Sequence, residues 1–282
     1  MHLLAFLRWL AFAFFTVLCL AAPPALLWGL PGLAVGSVLG ITLLWAMRFH
    51  GTRRLCASLK ARPLTRSQAP AEHALVDEFC RRLGLQVPHL MVTEAPGLNV
   101  GVFGFSPQNT YLVITRGVLD TFSRPQLAAL IARALCRVWS GEVPNETWLA
   151  RFFDILQTLV VADDDKSPLR SDNLALRRVV RQVLLYPLTL FPVFVLKGSP
   201  DEMELDARAA RILQDPRCLT EAFRRIDAMT ERLAFRAPFS CRHLFLASTP
   251  SADPLARLFF SSTSFSKRVR AVEGRMQAVS QA

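Results

Sequence analysis

LAALIARALCRVWSGEV, residues Leu127–Val143, is the stretch on which the reading of this chain turns. Ser123 can cap a helix just before it, and Arg124–Val138 is expected to be that helix, with a strongly apolar face. Arg133 and Arg137 lie four residues apart and so share one side of it. Arginine keeps its proton at any working pH, so two guanidinium groups alone in a packed site would be costly. Glu202 and Asp206 repeat the same spacing on a second expected helix, Asp201–Leu213.

Outward from this helix the chain mixes periods. Upstream, Ala71–Leu83 reads as a helix with Leu75, Phe79 and Leu83 four apart, stopped by Gly84. The runs His89–Val92 and Thr110–Thr115 (TYLVIT) read as strands, and NVGVFGFS (Asn99–Ser106) between them as an edge strand. A turn is expected at Leu119–Phe122. Downstream come helices at Trp148–Ala162, Leu219–Phe235 and Ser266–Gln277, with the acidic run Asp163–Asp165 and a loop at Leu169–Asn173.

The N-terminus is of another kind. Leu3–Ala22 is apolar except for Arg8, and Pro23-Pro24 is expected to end it; Ala25–Met47 then carries no charge. Each is near the ~20 residues that cross a hydrocarbon core, so residues 1–47 read as a transmembrane helical hairpin. Gly32, Gly36 and Gly40 recur every four residues on the second helix, a spacing that permits close packing. Net charge is +11, and much of the excess follows at Arg48, Arg53, Arg54, Lys60, Arg62 and Arg66. Placed there, it reads as a positive-inside signal and puts both termini in the cytoplasm. With no zinc finger, RRM signature or long basic run, nucleic acid is not an expected partner. Residues 48–70 are then a basic cytoplasmic linker and 71–282 the domain. Val183–Leu196 is uncharged but only about 21 Å long as a helix. Residues 148–197 are therefore expected to be a buried or membrane-associated hairpin rather than a third crossing. The cysteines, at 19, 56, 80, 136, 218 and 241, form no C-x-x-C pair and read as free thiols of a reduced compartment.

Five segments in order carry a resemblance: NVGVFG (99–104), LVITRGVL (112–119), the arginine-bearing helix (127–143), EMELDARAA (202–210) and SSTSFSKRV (261–269). This succession resembles the HtpX-type and CAAX-protease-type membrane zinc metallopeptidases, with their edge strand, second strand, H-E-x-x-H helix, E-x-x-A-D motif and basic C-terminal helix. The resemblance implies an α+β, mostly helical zincin domain with a small sheet behind the hairpin, in a bacterial-type inner membrane.

It also implies a loss. The family's first His falls on Arg133, its Glu on Ala134 and its second His on Arg137; only the third-ligand position, Glu202, survives, with Asp206 one turn on. Guanidinium has no lone pair for zinc, and alanine cannot act as a base. None of the histidines, at 2, 50, 73, 89 and 243, forms a pair with metal-ligand spacing. No catalytic residue, no metal and no cofactor are therefore expected. The family's edge strand pairs with extended substrate, so Asn99, Val100, Gly101, Val102, Phe103 and Gly104 form the candidate peptide-binding strand. In the resembling fold the two helix faces meet across the zinc. Arg133 and Arg137 are thus expected against Glu202 and Asp206 in a guanidinium–carboxylate cluster, the alternative being an open site with all four solvated. The functional expectation is a pseudo-protease in the bilayer that binds or regulates membrane-protein or peptide partners. An active quality-control endopeptidase with non-standard ligands and a non-proteolytic subunit of a membrane complex are the alternatives.

Overall fold

The computed structural model describes residues 2–161, 190–198, 201–230, 235, 237–247 and 263–280. The acidic run at 163–165, the loop at 169–173 and the first part of the 183–196 segment lie outside the described residues.

Two long helices open the chain, α1 (His2–Trp28) and α2 (Leu30–Ser58), joined at Gly29, whose φ of 64° favours glycine. Pro23 and Pro24 do not end α1, as the sequence suggested, but lie inside it. Proline removes one donor each, a loss that helices packed in an apolar setting tolerate. The neighbour here is α2, whose Gly32, Gly36 and Gly40 are all buried. A Cβ on Gly36 would lie 2.5 Å from Ala21 Cα and from Leu20 O, so the backbones touch only because no side chain intervenes.

The expected boundary at residue 47 falls inside α2, which continues through Arg48, Arg53 and Arg54 to Ser58. Arginine is a good helix former, and Gly51, Thr52 and Leu55 of this extension are buried. The rest of the expected linker supplies β1 (Arg62–Pro63) before α3 (Pro70–Leu83) begins.

A four-stranded mixed sheet follows, in the order β1-β2-β4-β3. Its strands are β2 (His89–Thr93), β3 (Val100–Gly104) and β4 (Thr110–Thr115) beside β1. β2 and β4 run parallel, whereas β1–β2 and β3–β4 are antiparallel. Alternation sorts the side chains to two cores. Leu90, Val92, Val100, Leu112 and Ile114 face a core shared with Leu130, Ile131, Leu135 and Phe223. Met91, Phe103 and Val113 face the other, with Leu55, Leu59 and Phe245.

Helix follows helix thereafter. α4 (Arg116–Thr121) occupies the place where only a turn at 119–122 was expected, because the chain turns directly after β4. α5 (Arg124–Trp139) has Pro125 in its first turn, and the Gln126 side chain accepts from the Ser123 N–H at 3.3 Å. α6 (Val143–Val161) starts five residues before the expected Trp148: Gly141, at φ 78°, makes the turn, and Pro144 fits the first helical turn. Among the described residues there follow α7 (Glu202–Ile212), α8 (Arg217–Thr230) and α9 (Phe265–Ser280), with a 3-10 helix at Phe239–Leu244 between the last two. Residues 190–196 are helical, and Val193 and Leu196 pack with Phe12, Met47, Trp148 and Phe153. All six cysteines are free.

Candidate functional site

α5 lies between the sheet and α7, with its arginine face turned toward both the β3 edge and the acids of α7. Arg133 is 1% exposed. Its Nε donates to Asp206 Oδ1 and its Nη2 to Glu202 Oε2. Asp206 is 0% exposed and receives a second guanidinium: Arg268 Nε donates to Oδ2 and Arg268 Nη2 to Oδ1, each at 2.7 Å. Arg268 also stands 3.6 Å from Glu202, whose side chain is 26% exposed. The Arg268 guanidinium lies against the adjoining rings of Phe223 and Phe265, at 4.4 and 5.1 Å from their centroids. Two cations and two anions thus form a charge-balanced quartet. Burial alone would lower the Arg133 pKa, but the carboxylates of Glu202 and Asp206 outweigh it and leave it raised.

Arg137 does not join them, contrary to the expectation of a four-way cluster between α5 and α7. One turn further along α5 it lies beside the start of α6, and its Nη2 donates to Glu146 Oε1 at 2.9 Å and to the His243 carbonyl at 2.5 Å. The physical reason is proximity: α6 brings Glu146 to Arg137, while Arg268 takes the acceptor sites left on Asp206. Burial raises the Glu146 pKa against the pull of Arg137. His243 Nε2 meets the Glu146 carbonyl at 2.9 Å, which fixes the ring hydrogen on Nε2. Burial lowers its pKa to about 4, so it is neutral near pH 7. Cys136 is buried beside Arg133, and burial raises its thiol to about 11, which leaves no thiolate for nucleophilic work.

These residues do not fit a zinc ion. Arg133 and Arg137 offer no lone pair, Ala134 offers no base, and both Asp206 oxygens accept from guanidinium groups. Among the described residues, no group of three or more His, Cys, Asp or Glu is placed to hold a metal.

β3 does lie at the sheet edge, as read from the sequence, and it runs alongside α5. All five of its residues are buried. Val100, Gly101 and Val102 line a cavity of about 10 Å³ with Leu130, Arg133, Ala134, Arg137, Leu244 and Leu246. The far edge of the strand carries the chain's own residues 244–247, with an antiparallel bridge between Gly101 and Phe245. At its other end, Gly104 N donates to Thr147 Oγ1 at 2.8 Å.

Arg268, Glu146 and His243 escaped the sequence reading as site residues. Arg268 stood within the quoted SSTSFSKRV segment, and Glu146 was an acid at the head of an apolar helix; either was a signal for a buried partner. His243 gave none.

The hairpin is joined to the site's own helices. Arg8 donates to both oxygens of Glu142 at 3.0 and 3.1 Å, and Asn145 Nδ2 donates to Ala5 O at 3.0 Å. Phe12 contacts the Trp148 and Phe152 rings, at centroid distances of 6.2 and 5.8 Å. Arg48 Nη1 donates to Phe105 O at 3.3 Å.

Comparison with known proteins gives consistent partners. A protein named Protease HtpX homolog from Salinibacter ruber is 25% identical over 279 residues, covering 93% of this chain and 99% of that protein. Those of Pelotomaculum thermopropionicum and Trichormus variabilis are 22% and 23% identical, covering 79% and 86% of this chain and 82% and 87% of theirs. The crystal structure of S. mikatae Ste24p superposes with a TM-score of 0.48 at 15% identity; it covers 83% of this chain, which spans 57% of that one. No family model matches the chain.

Proposed function

Because the chain belongs to the HtpX-type family of membrane metallopeptidases, we propose that it is a non-catalytic member, which holds extended peptide or membrane-protein segments along β3 without cleaving them. One observation carries the reading. Arg133, at the position of the family's first zinc-binding His, is buried and committed to two carboxylates, one of them at the third-ligand position. A fixed guanidinium charge stands where a metal would otherwise be held. The quartet is a poor source of net stability, because desolvation offsets most of the attraction. It does keep two acids and two arginines satisfied in a packed site, and so preserves the α5–α7 contact.

Several features support an inner-membrane location with the domain in the cytoplasm. α1 and α2 are long and apolar enough to cross a bilayer. Leu26, Leu27, Trp28 and Leu30 at their joined end are exposed, while Arg8, Arg48, Arg53 and Arg54 gather at the end where the domain docks. Phe194, 87% exposed on the helical turn beside α1, suits a domain that rests on the membrane surface.

Metal analysis of the purified protein, combined with a casein and denatured-membrane-protein cleavage assay, tests the reading. The expected result is no stoichiometric zinc and no hydrolysis. Stoichiometric zinc with chelator-sensitive cleavage would sink it and restore the active endopeptidase.

A further inference from the structure

We infer that residues 245–247, Phe-Leu-Ala, which follow directly on the 3-10 helix Phe239–Leu244, are a resident ligand of the β3 groove, and that the groove selects extended apolar peptides with an aromatic residue over Gly101. The inference rests on the reading of β3 as a peptide-binding strand and adds what occupies it and what it prefers.

The resident segment is gripped through its main chain. Leu246 N donates to Val100 O at 2.9 Å, as in an added antiparallel strand. The Asn99 amide clamps both polar groups of Ala247: Nδ2 donates to its carbonyl at 2.7 Å, and Oδ1 accepts from its N–H at 3.0 Å. Arg137 donates to the His243 carbonyl. The bonds to Leu246 and Ala247 read no side chain, so an extended backbone could make them, whereas the bond from Arg137 is made to the preceding 3-10 helix. Selectivity enters through the side chains of the segment. Leu246 lines the small cavity against α5, beside Leu244 of the preceding 3-10 helix. Phe245 lies over Gly101.

Gly101 is the specificity element. A Cβ there would lie 2.6 Å from Phe245 Cδ1, so the missing side chain is what makes room for a ring. Phe235 closes the slot with its ring centroid 4.7 Å from that of Phe245. An aromatic ring fills this space and an aliphatic chain does not.

With about 10 Å³ left between β3 and α5, the groove has no room for a second strand. An incoming peptide must displace the resident, so its apparent affinity is reduced by the fraction of molecules whose groove is vacant. Weakening the resident without touching the groove should therefore tighten binding.

The test uses the full chain in detergent with fluorescent His-Leu-Phe-Leu-Ala as the probe and His-Leu-Ala-Leu-Ala as its comparison. The aromatic peptide should bind Phe245→Ser about tenfold more tightly than wild type, and the alanine peptide should bind both weakly. In the wild type, saturating aromatic peptide should speed amide exchange at Leu246, whose hydrogen bond to Val100 it replaces. Equal affinity for the two chains with unchanged Leu246 exchange overturns the resident ligand and leaves peptide binding by β3 standing. Equal affinity of the two peptides overturns the aromatic preference. No binding to either chain at millimolar peptide overturns the peptide-binding reading as well. Should Phe245→Ser fail to fold, the wild-type exchange measurement decides alone.

Discussion

Three guanidinium hydrogen bonds converge on Asp206, a carboxylate without solvent exposure, whereas Glu202 meets water on one side. Removing Asp206 would strand two buried cations; removing Glu202 would leave Arg133 its other acid. Asp206→Ala is therefore expected to cost about 3–5 kcal/mol and Glu202→Ala distinctly less. Arg133→Ala should cost less in the Asp206→Ala background than alone, because the shared interaction is already gone. A double-mutant cycle by denaturant titration in detergent checks this, and additive losses would mean the quartet is not coupled. At this scale the sequence displayed the arginines and acids by their spacing, and the resemblance set Arg133 against Glu202 and Asp206, where it lies, but misplaced Arg137 and missed Arg268. That Arg137 prefers Glu146 and that Arg268 completes Asp206 depends on which helices cross, information carried by packing rather than by local pattern.

Elements with a strong local signal were readable from their residues. α5 has its Ser123-Arg-Pro-Gln start and an apolar face, and β4 is a run of β-formers; both fall within a residue or so of expectation. Elements whose limits depend on their surroundings were not. The prolines of α1 look like a stop only until α2 is laid against them, and α6 begins early because Gly141 turns the chain before Pro144. The glycine stripe gives a test of the hairpin as a packed pair. Gly36→Ile would drive a branched side chain into the α1 backbone, where the first atom alone lies 2.5 Å from Ala21 Cα. It should destabilise by at least about 1–3 kcal/mol, measured as a lower unfolding temperature in detergent. Leu39→Ala, on the exposed side of the same helix, should leave that temperature nearly unchanged. An equal response to both would mean that the helices are not in contact along the glycines.

At the scale of the whole molecule, the mostly helical α+β plan and the two apolar helices were legible, whereas the division into anchor, linker and domain was not. The bonds from Arg8, Asn145 and Arg48 bring both open ends of the hairpin to the same side of the domain. A reporter fused after Arg66 should accordingly be active in the cytoplasm and silent outside; a periplasmic signal there would reverse the orientation. α2 itself is about 43 Å long at 1.5 Å per residue, against a hydrocarbon core of about 30 Å. Its last turns are not a tether. Leu55 and the Leu59 that follows are buried against Met91, Phe103 and Val113, and so complete one face of the sheet. A cut between Leu59 and residue 70 would leave that face open to water. The end of α2 is thus a structural part of the domain: a fragment that began after Leu59 would lack one wall of its core.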